Sequence, residues 1–307
     1  MLFFKNVKAG CLDPFDALKS ALFVLPAVVI FGIFYIYPFI ELVRLSLHDW
    51  PGIGPMTFVG IQNFKELMTD RIWWDSVGHA GYITLIALIF QNALAFALAL
   101  ACDREIRMKN FYRLVFFLPP ILSEVVVGIL WNWILKAGTM EGQQMGLFNQ
   151  FLMWVGLPNL IHNWLSDPKT ALTCIAVVHS WKGFGWGFIM LLAGLQTIDR
   201  QLYEAAKVDG AGSWRTFWNI TVPMMLPVIL IVVILTILGS MQVFVLILSL
   251  VNQGLVHHTD VPVTRILWSM QGSKQFGYAC AQAVIFGAML IMVSFGLKKL
   301  SNQVKQV

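Results

Sequence analysis

Tyr203-Glu204-Ala205-Ala206-Lys207-Val208-Asp209-Gly210-Ala211-Gly212-Ser213-Trp214, continued by Arg215 to Thr221 and Val222-Pro223, separates two long apolar runs. A plain connector would be Gly/Ser/Pro-rich or simply charged. Gln201 to Val208 is rich in Ala, Leu, Glu and Lys, which predicts a short helix. Gly210 allows a left-handed or tightly turned backbone where that helix ends. A second short helix is expected over Ser213 to Ile220 with Ser213 as its cap, and Pro223 marks re-entry into the next apolar run. Two short helices joined by Asp-Gly-Ala-Gly make a compact knob. Ala205, Ala206 and Ala211 let another surface approach, and Glu204 and Asp209 offer charge at its edge. Local physics fits equally an amphipathic hairpin lying on a membrane surface.

The flanking runs set the class. The 307-residue chain is 58% hydrophobic and 12% charged with mean hydropathy +0.73, against about 25% charged residues in soluble domains. A span needs about 20 apolar residues. Candidates run over Ser20–Ile40, Val77–Ala101, Phe111–Leu135, Ala171–Leu195, Val222–Leu250 and Phe276–Leu297. The first follows Lys5, Lys8 and Lys19 as a signal peptide would, but it is long and no small-x-small cleavage site precedes Glu41, so it reads as a retained helix. The fold class is therefore an all-α polytopic membrane protein with six transmembrane helices.

Thirteen of the 21 basic residues fall on the side that holds both termini and the 204–223 segment, Arg104, Arg107, Lys109 and Arg113 among them. The positive-inside bias makes that side cytoplasmic. The net charge of +5 reflects these clusters, and no basic stripe interleaved with aromatics suggests nucleic acid. Cys11, Cys102, Cys174 and Cys280 match neither a disulfide framework nor a metal pair and read as apolar fillers. Trp50, Trp73, Trp74, Trp131, Trp133, Trp164 and Trp268 fall near helix ends, where indoles favour the headgroup level.

The string Glu204-Ala205-Ala206-x-x-Asp209-Gly210-Ala211, with Phe217, Ile220 and Pro223 at their spacings, resembles the EAA loop of bacterial ABC importer permeases. Further matches are Phe58-Val-Gly-Ile-Gln-Asn-Phe64, Phe116-Phe117-Leu118-Pro119, Gly146-Leu-Phe-Asn149, Trp164-Leu-Ser-Asp-Pro168 and Leu192-Ala-Gly-Leu-Gln196. Together they are similar to the maltose/sn-glycerol-3-phosphate type I branch, its larger-partner subunit in particular. The resemblance implies a cytoplasmic coupling helix in which Glu204, Ala205, Ala206, Asp209, Gly210, Ala211 and Gly212 dock on an ATP-hydrolysing subunit. It implies a second permease, two ATPase subunits carrying ATP and Mg, and an extracytoplasmic binding protein, all in a bacterial inner membrane. Residues 1–19 then form a cytoplasmic segment, 20–40 the first helix and 41–76 an outer loop. Residues 77–297 form the five-helix transporter domain with its coupling loop at 199–222, and 298–307 a cytoplasmic tail. The branch implies a sugar or oligosaccharide as solute.

Polar groups within spans mark candidate solute contacts. In the fourth span His179, Lys182 and Trp186 share one side at helical spacing, and the family holds sugar partly from the matching stretch, with Trp181, Gly183 and Phe184 shared. His179 bonding a neighbouring helix and Lys182 snorkelling outward are the alternatives. Gly183, Gly185 and Gly187 are expected to weaken or kink that helix. In the fifth span Ser240 matches a family contact position, and Gln242 either lines the path or ties helices together. Glu124 departs from the family pattern, either for a particular solute or to pair with a polar side chain in the bundle.

The chain has no P-loop, no His-Glu-x-x-His and no Gly-x-Ser-x-Gly, so it is expected not to be an enzyme and to hold no metal or cofactor of its own. A stand-alone secondary transporter would show internal repeats and a buried acid pair. No convincing repeat appears, and Glu124 is the one acid placed in a span. A membrane-anchored assembly factor would leave the 204–223 segment unexplained.

Overall fold

A computed structural model describes residues 14–304, except 105–106, 138–144 and 252–257. Cys11, Lys5, Lys8 and Lys305 lie outside the described residues. A helix beginning at Pro14 carries the apolar span Leu22–Ser46 (α1). A two-stranded hairpin, β1 (His48–Asp49) on β2 (Thr57–Phe58), leads to α2 (Gln62–Thr69) and the span α3 (Arg71–Asp103). Next come α4 (Lys109–Ile121), α5 (Glu124–Leu135), α6 (Leu147–Trp154) and the span α7 (Pro168–Leu195). The knob helix α8 (Arg200–Val208) precedes the span α9 (Ser213–Met241). Short helices α10 (Val245–Val251) and α11 (Pro262–Gln271) lead to α12 (Phe276–Val304).

Among the described residues, five helices are long and apolar enough to cross a membrane, and the bent pair α4–α5, counted as one span, makes a sixth. Two expected spans are therefore not straight. The third turns through 96° between Ile121 and Glu124. Pro119 and Pro120 close α4 by removing two N–H donors. Ser123 then starts α5, its Oγ accepting from Val126 N at 3.3 Å. The fifth ends at Met241 rather than Leu250, and α10 is a separate helix laid against α5. Asn132 Nδ2 donates to the Leu250 carbonyl at 2.7 Å across that contact.

Helix α7 is the hub, touching α3, α4, α9 and α10. It is 56% buried over its apolar window, against 22–28% for α3, α9 and α12 and 0% for α1. Lipid tails are as apolar as leucine, so close backbone approach holds such helices together. The α7 glycines serve that approach. A methyl on Gly185 would lie 2.5 Å from the Phe116 carbonyl oxygen and 2.6 Å from Pro120 Cγ of α4. On Gly187 it would reach Val232 of α9 at 3.2 Å, and on Gly194 the Met225 and Val228 side chains at 3.0–3.2 Å. The expected kink is absent: α7 is unbroken over 28 residues, and its glycines are contact points. The Phe116 carbonyl is the one that Pro120 deprives of its helical donor, so the break in α4–α5 and the Gly185 contact are one packing device.

The indoles divide. Trp73 is fully buried, Trp164 donates Nε1–H to Asn149 Oδ1 at 2.7 Å, and Trp131 packs edge-on to Trp181 at 5.4 Å. Trp133, 72% exposed, has the exposure expected of an interface anchor. Among the described residues Cys102, Cys174 and Cys280 are free thiols, none of them exposed.

Candidate functional site

At one end of the bundle, the 199–222 segment forms a rigid knob. Asp199 caps α8, its carboxylate accepting from Gln201 N at 2.9 Å. The helix closes in a Schellman turn: Ala211 N donates to Ala206 O at 2.9 Å and Gly210 N to Lys207 O at 3.1 Å. Gly210 carries φ +73, which a side chain disfavours. Gly212, extended at φ −70, is the cap residue of α9. The expected second helix and its Ser213 cap are thus replaced by a continuous α9, whose first turns pass through a π turn at Phe217–Thr221 into the span with Pro223 inside it.

Ala206 faces the bundle and is buried, while Glu204, Ala205, Lys207, Asp209 and Gly210 are exposed. Tyr203 Oη and Thr221 Oγ1 lie 3.1 Å apart, tying α8 to α9. Phe217 packs on Phe96 of α3 at 5.9 Å. The tip is apolar, with Val208 87% and Trp214 74% exposed. Trp214 packs edge-on to Trp218, itself 51% exposed, at 5.8 Å, and a contiguous exposed apolar patch is a mark of an interaction surface. Beneath the knob lies a cavity of about 790 Å³ lined by Glu204, Lys207 and Thr216 on one wall and Asp103, Arg104 and Lys109 on the other.

A second cluster sits inside the spans. His179 Nε2 lies 2.9 Å from Ser240 Oγ, joining α7 to α9. Lys182 Nζ lies 3.9 Å from Glu124 Oε1 at the α4–α5 break. Trp186 is 57% exposed and meets Phe117 edge-on at 5.3 Å. His179, Lys182 and Trp186 therefore share one face, and Ser240 and Glu124 join them. Gln242 does not bridge helices: it is exposed at the end of α9, and its Nε2 donates to the Leu238 carbonyl at 3.0 Å. Gly183 stands apart from that cluster, pressed against the Gln91 amide.

That contact exposes residues the sequence reading passed over. A π turn at Ala87–Gln91 in α3 presents Gln91 and Asn92 to α9. Gln91 Nε2 donates to Thr236 Oγ1 at 3.3 Å, and Thr236 Oγ1 donates to Asn92 Oδ1 at 3.0 Å. Gln91 Oε1 and Asn92 Nδ2 are buried without a protein partner. Two consecutive amides in an apolar run were the available signal. Among the described residues no group of three His, Cys, Asp or Glu could hold a metal ion.

Residues 93–305 match the model of the family described as "Binding-protein-dependent transport system inner membrane component". The chain is 31% identical over 282 residues to the "Probable ABC transporter permease protein YurN" of Bacillus subtilis, covering 91% of this chain and 94% of the relative. It is 29% identical over 279 residues to the "Lactose transport system permease protein LacF" of Rhizobium radiobacter, covering 89% and 91%. Its fold is similar to that of a chain in the crystal structure of a bacterial alginate ABC transporter in complex with an alginate pentasaccharide-bound periplasmic protein, with TM-score 0.79, 24% identity and coverage of 95% and 96%.

Proposed function

The chain belongs to the family of binding-protein-dependent transport system inner membrane components, the permeases of type I ABC importers, and on that premise we propose how it is powered and what it carries. Its energy comes from an ATP-hydrolysing partner that holds ATP and Mg. That partner docks on α8, where Glu204, Ala205, Asp209, Gly210, Ala211 and Gly212 form the contact, while Ala206, expected to join them, is buried and seats the helix on the bundle instead. The observation that carries this reading is the Schellman-closed knob with its exposed Val208 tip. A capped helix tied through Tyr203 to α9 transmits displacement as a rigid lever rather than absorbing it.

A second permease covers the open face of this chain and completes the path. Both termini and the knob lie in the cytoplasm, as the basic residues around them favour. The solute is a sugar or oligosaccharide, supported by relatives named for lactose, arabinooligosaccharides and starch degradation products. His179, Lys182, Trp186, Ser240, Gln242 and Gly183 are assigned to its path, with Glu124 added by its pairing with Lys182. In the two-state scheme, ATP-driven closure of the partner shifts the bundle between outward-open and inward-open populations.

A photo-crosslinking residue at Val208 tests the docking. Capture of a P-loop ATPase from Val208 but not from Ile53, at the other end of the bundle, supports the assignment. Equal capture from both, or none from Val208, contradicts it.

A further inference from the structure

At the end opposite the knob, α10 and α11 enclose a cavity of about 350 Å³, near the lower bound of small-ligand pockets, about 300–1,000 Å³. We infer that this cavity is a subsite for one neutral pyranose ring, with the Trp268 indole as its platform. The inference rests on the sugar reading above and deepens it.

The platform is built. Trp268 lines the cavity and is 42% exposed. One side of it is occupied by Arg265, whose guanidinium carbon stands 4.6 Å from the ring centroid. Arg265 is itself 5% exposed, and its Nη1 lies 3.5 Å from Asp260 Oδ2. Thr264 Oγ1 accepts from Val261 N at 2.8 Å and donates to the Val261 carbonyl at 2.8 Å, with Asp260 Oδ1 3.4 Å away. Gly272 closes the ring's edge, where a methyl group would come within 3.1 Å of Nε1. An indole clamped by a buried ion pair keeps one orientation, so little ordering remains when a ligand stacks on it.

The chemistry of the lining selects the ligand class. A pyranose has an apolar face of C–H groups, which packs on an indole, and a rim of hydroxyls. Gln271 supplies an exposed amide beside the platform, the backbone-bonded Thr264 fixes the wall behind it, and Leu248 supplies an apolar wall. Asp260 and Arg265 face each other, so their charges cancel and the cavity favours a neutral ring. The site also connects to the proposed path. Leu248 lines the cavity, and the next residue, Ser249, which donates within α10 to the Val245 carbonyl at 2.9 Å, brings its Oγ 3.4 Å from the Glu124 carbonyl. The cavity wall and the contact with the start of α5 are thus adjacent positions of α10.

Saturation-transfer NMR with methyl α-glucopyranoside on the whole assembly in nanodiscs tests the subsite. We expect transfer to the ring C–H protons from the unaltered assembly, and at least a threefold loss in Trp268→Ala. Gln271→Ala, an exposed position, is expected to lose twofold or more, while Trp133→Ala on the exposed α5 surface keeps the full signal. Transfer unchanged in both Trp268→Ala and Gln271→Ala, or equally lost in Trp133→Ala, overturns the subsite and leaves Trp268 as an interface anchor. Absence of transfer from the unaltered assembly also overturns it. The importer reading is judged separately, by the ATPase that co-purifies in the same samples.

Discussion

Lys182 Nζ stands 3.9 Å from Glu124 Oε1, so the hub helix α7 and the break between α4 and α5 share one ion pair within the spans. The pair lies beyond direct hydrogen-bond length, and its members are unequally open, with Lys182 16% and Glu124 39% exposed. Exposed pairs are worth only about 0.2–1 kcal/mol, so stability alone gives little reason for charges at this depth. A lone charge within a span is costly, however. Lys182→Ala and Glu124→Ala are each expected to cut sugar uptake at least tenfold while the ATPase still co-purifies. The neutral pair Glu124→Gln with Lys182→Met should restore thermal stability but not uptake. Uptake and melting of the four proteins decide this, and recovery of uptake in the double variant would reduce the pair to packing.

Gly210 is held at φ +73, and an added methyl group there meets no atom within 4 Å. The cost of Gly210→Ala is therefore backbone strain, about 1–2 kcal/mol. Gly210→Asn, which tolerates the left-handed region, should keep most uptake. Gly210→Pro loses both the φ value and the N–H that bonds Lys207 O, so ATP-coupled uptake should vanish. Gly212→Ala, at φ −70 with no atom of this chain within 4 Å, should leave the fold of the knob unchanged, so any loss of uptake there reports the docking contact itself. ATP-driven uptake ranked across these four variants checks the turn.

Gly185 carries the opposite constraint. Its neighbour is the Phe116 backbone, which cannot swing aside as a side chain can. Gly185→Ala should cost about 1–3 kcal/mol through overpacking and lower the yield of folded protein. Gly239→Ala, with nothing within 4 Å, should not. Size-exclusion profiles of the two variants separate these outcomes.

Much of this was legible in the sequence. Long apolar runs report spans because the bilayer sets their length, and Gly210 followed by Ala211 reported the end of α8. The bend at Leu122–Ser123 was not legible, because Pro119 and Pro120 in an apolar run also fit the entry of a straight span. Whether two prolines end a helix depends on the packing around them, and here α7 presses Gly185 against the Phe116 carbonyl that Pro120 leaves without its helical donor. The end of α9 at Met241 was hidden for a related reason, since Val243 to Leu250 stays apolar when it folds back against α5. The glycines of α7 looked like helix breakers locally, but tertiary packing overrode propensity. Ser213 was misplaced by one residue because Gly212 serves as cap without a side chain.

Asp167 Oδ1 accepts from Lys169 N at 2.9 Å, and its Oδ2 lies 2.6 Å from His162 Nε2. The backbone amide first, then His162, holds this carboxyl below the ordinary carboxylate value. A folded-state value lower than the unfolded one, about 3.9, gives stability that is present above that pH and lost as pH falls through the folded value. Asp167→Asn should lower the neutral-pH melting temperature toward the acid value and flatten the profile below about pH 4. Melting curves from pH 3 to pH 7 read both effects.

The measurement that reaches the central claim most directly is gentle purification of the tagged chain from its native membrane, with mass spectrometry of all that co-elutes. The coupling account predicts a P-loop ATPase and a second permease bound with the chain, and loss of the ATPase on Gly210→Pro. A chain recovered alone that moves sugar in vesicles without ATP would contradict it.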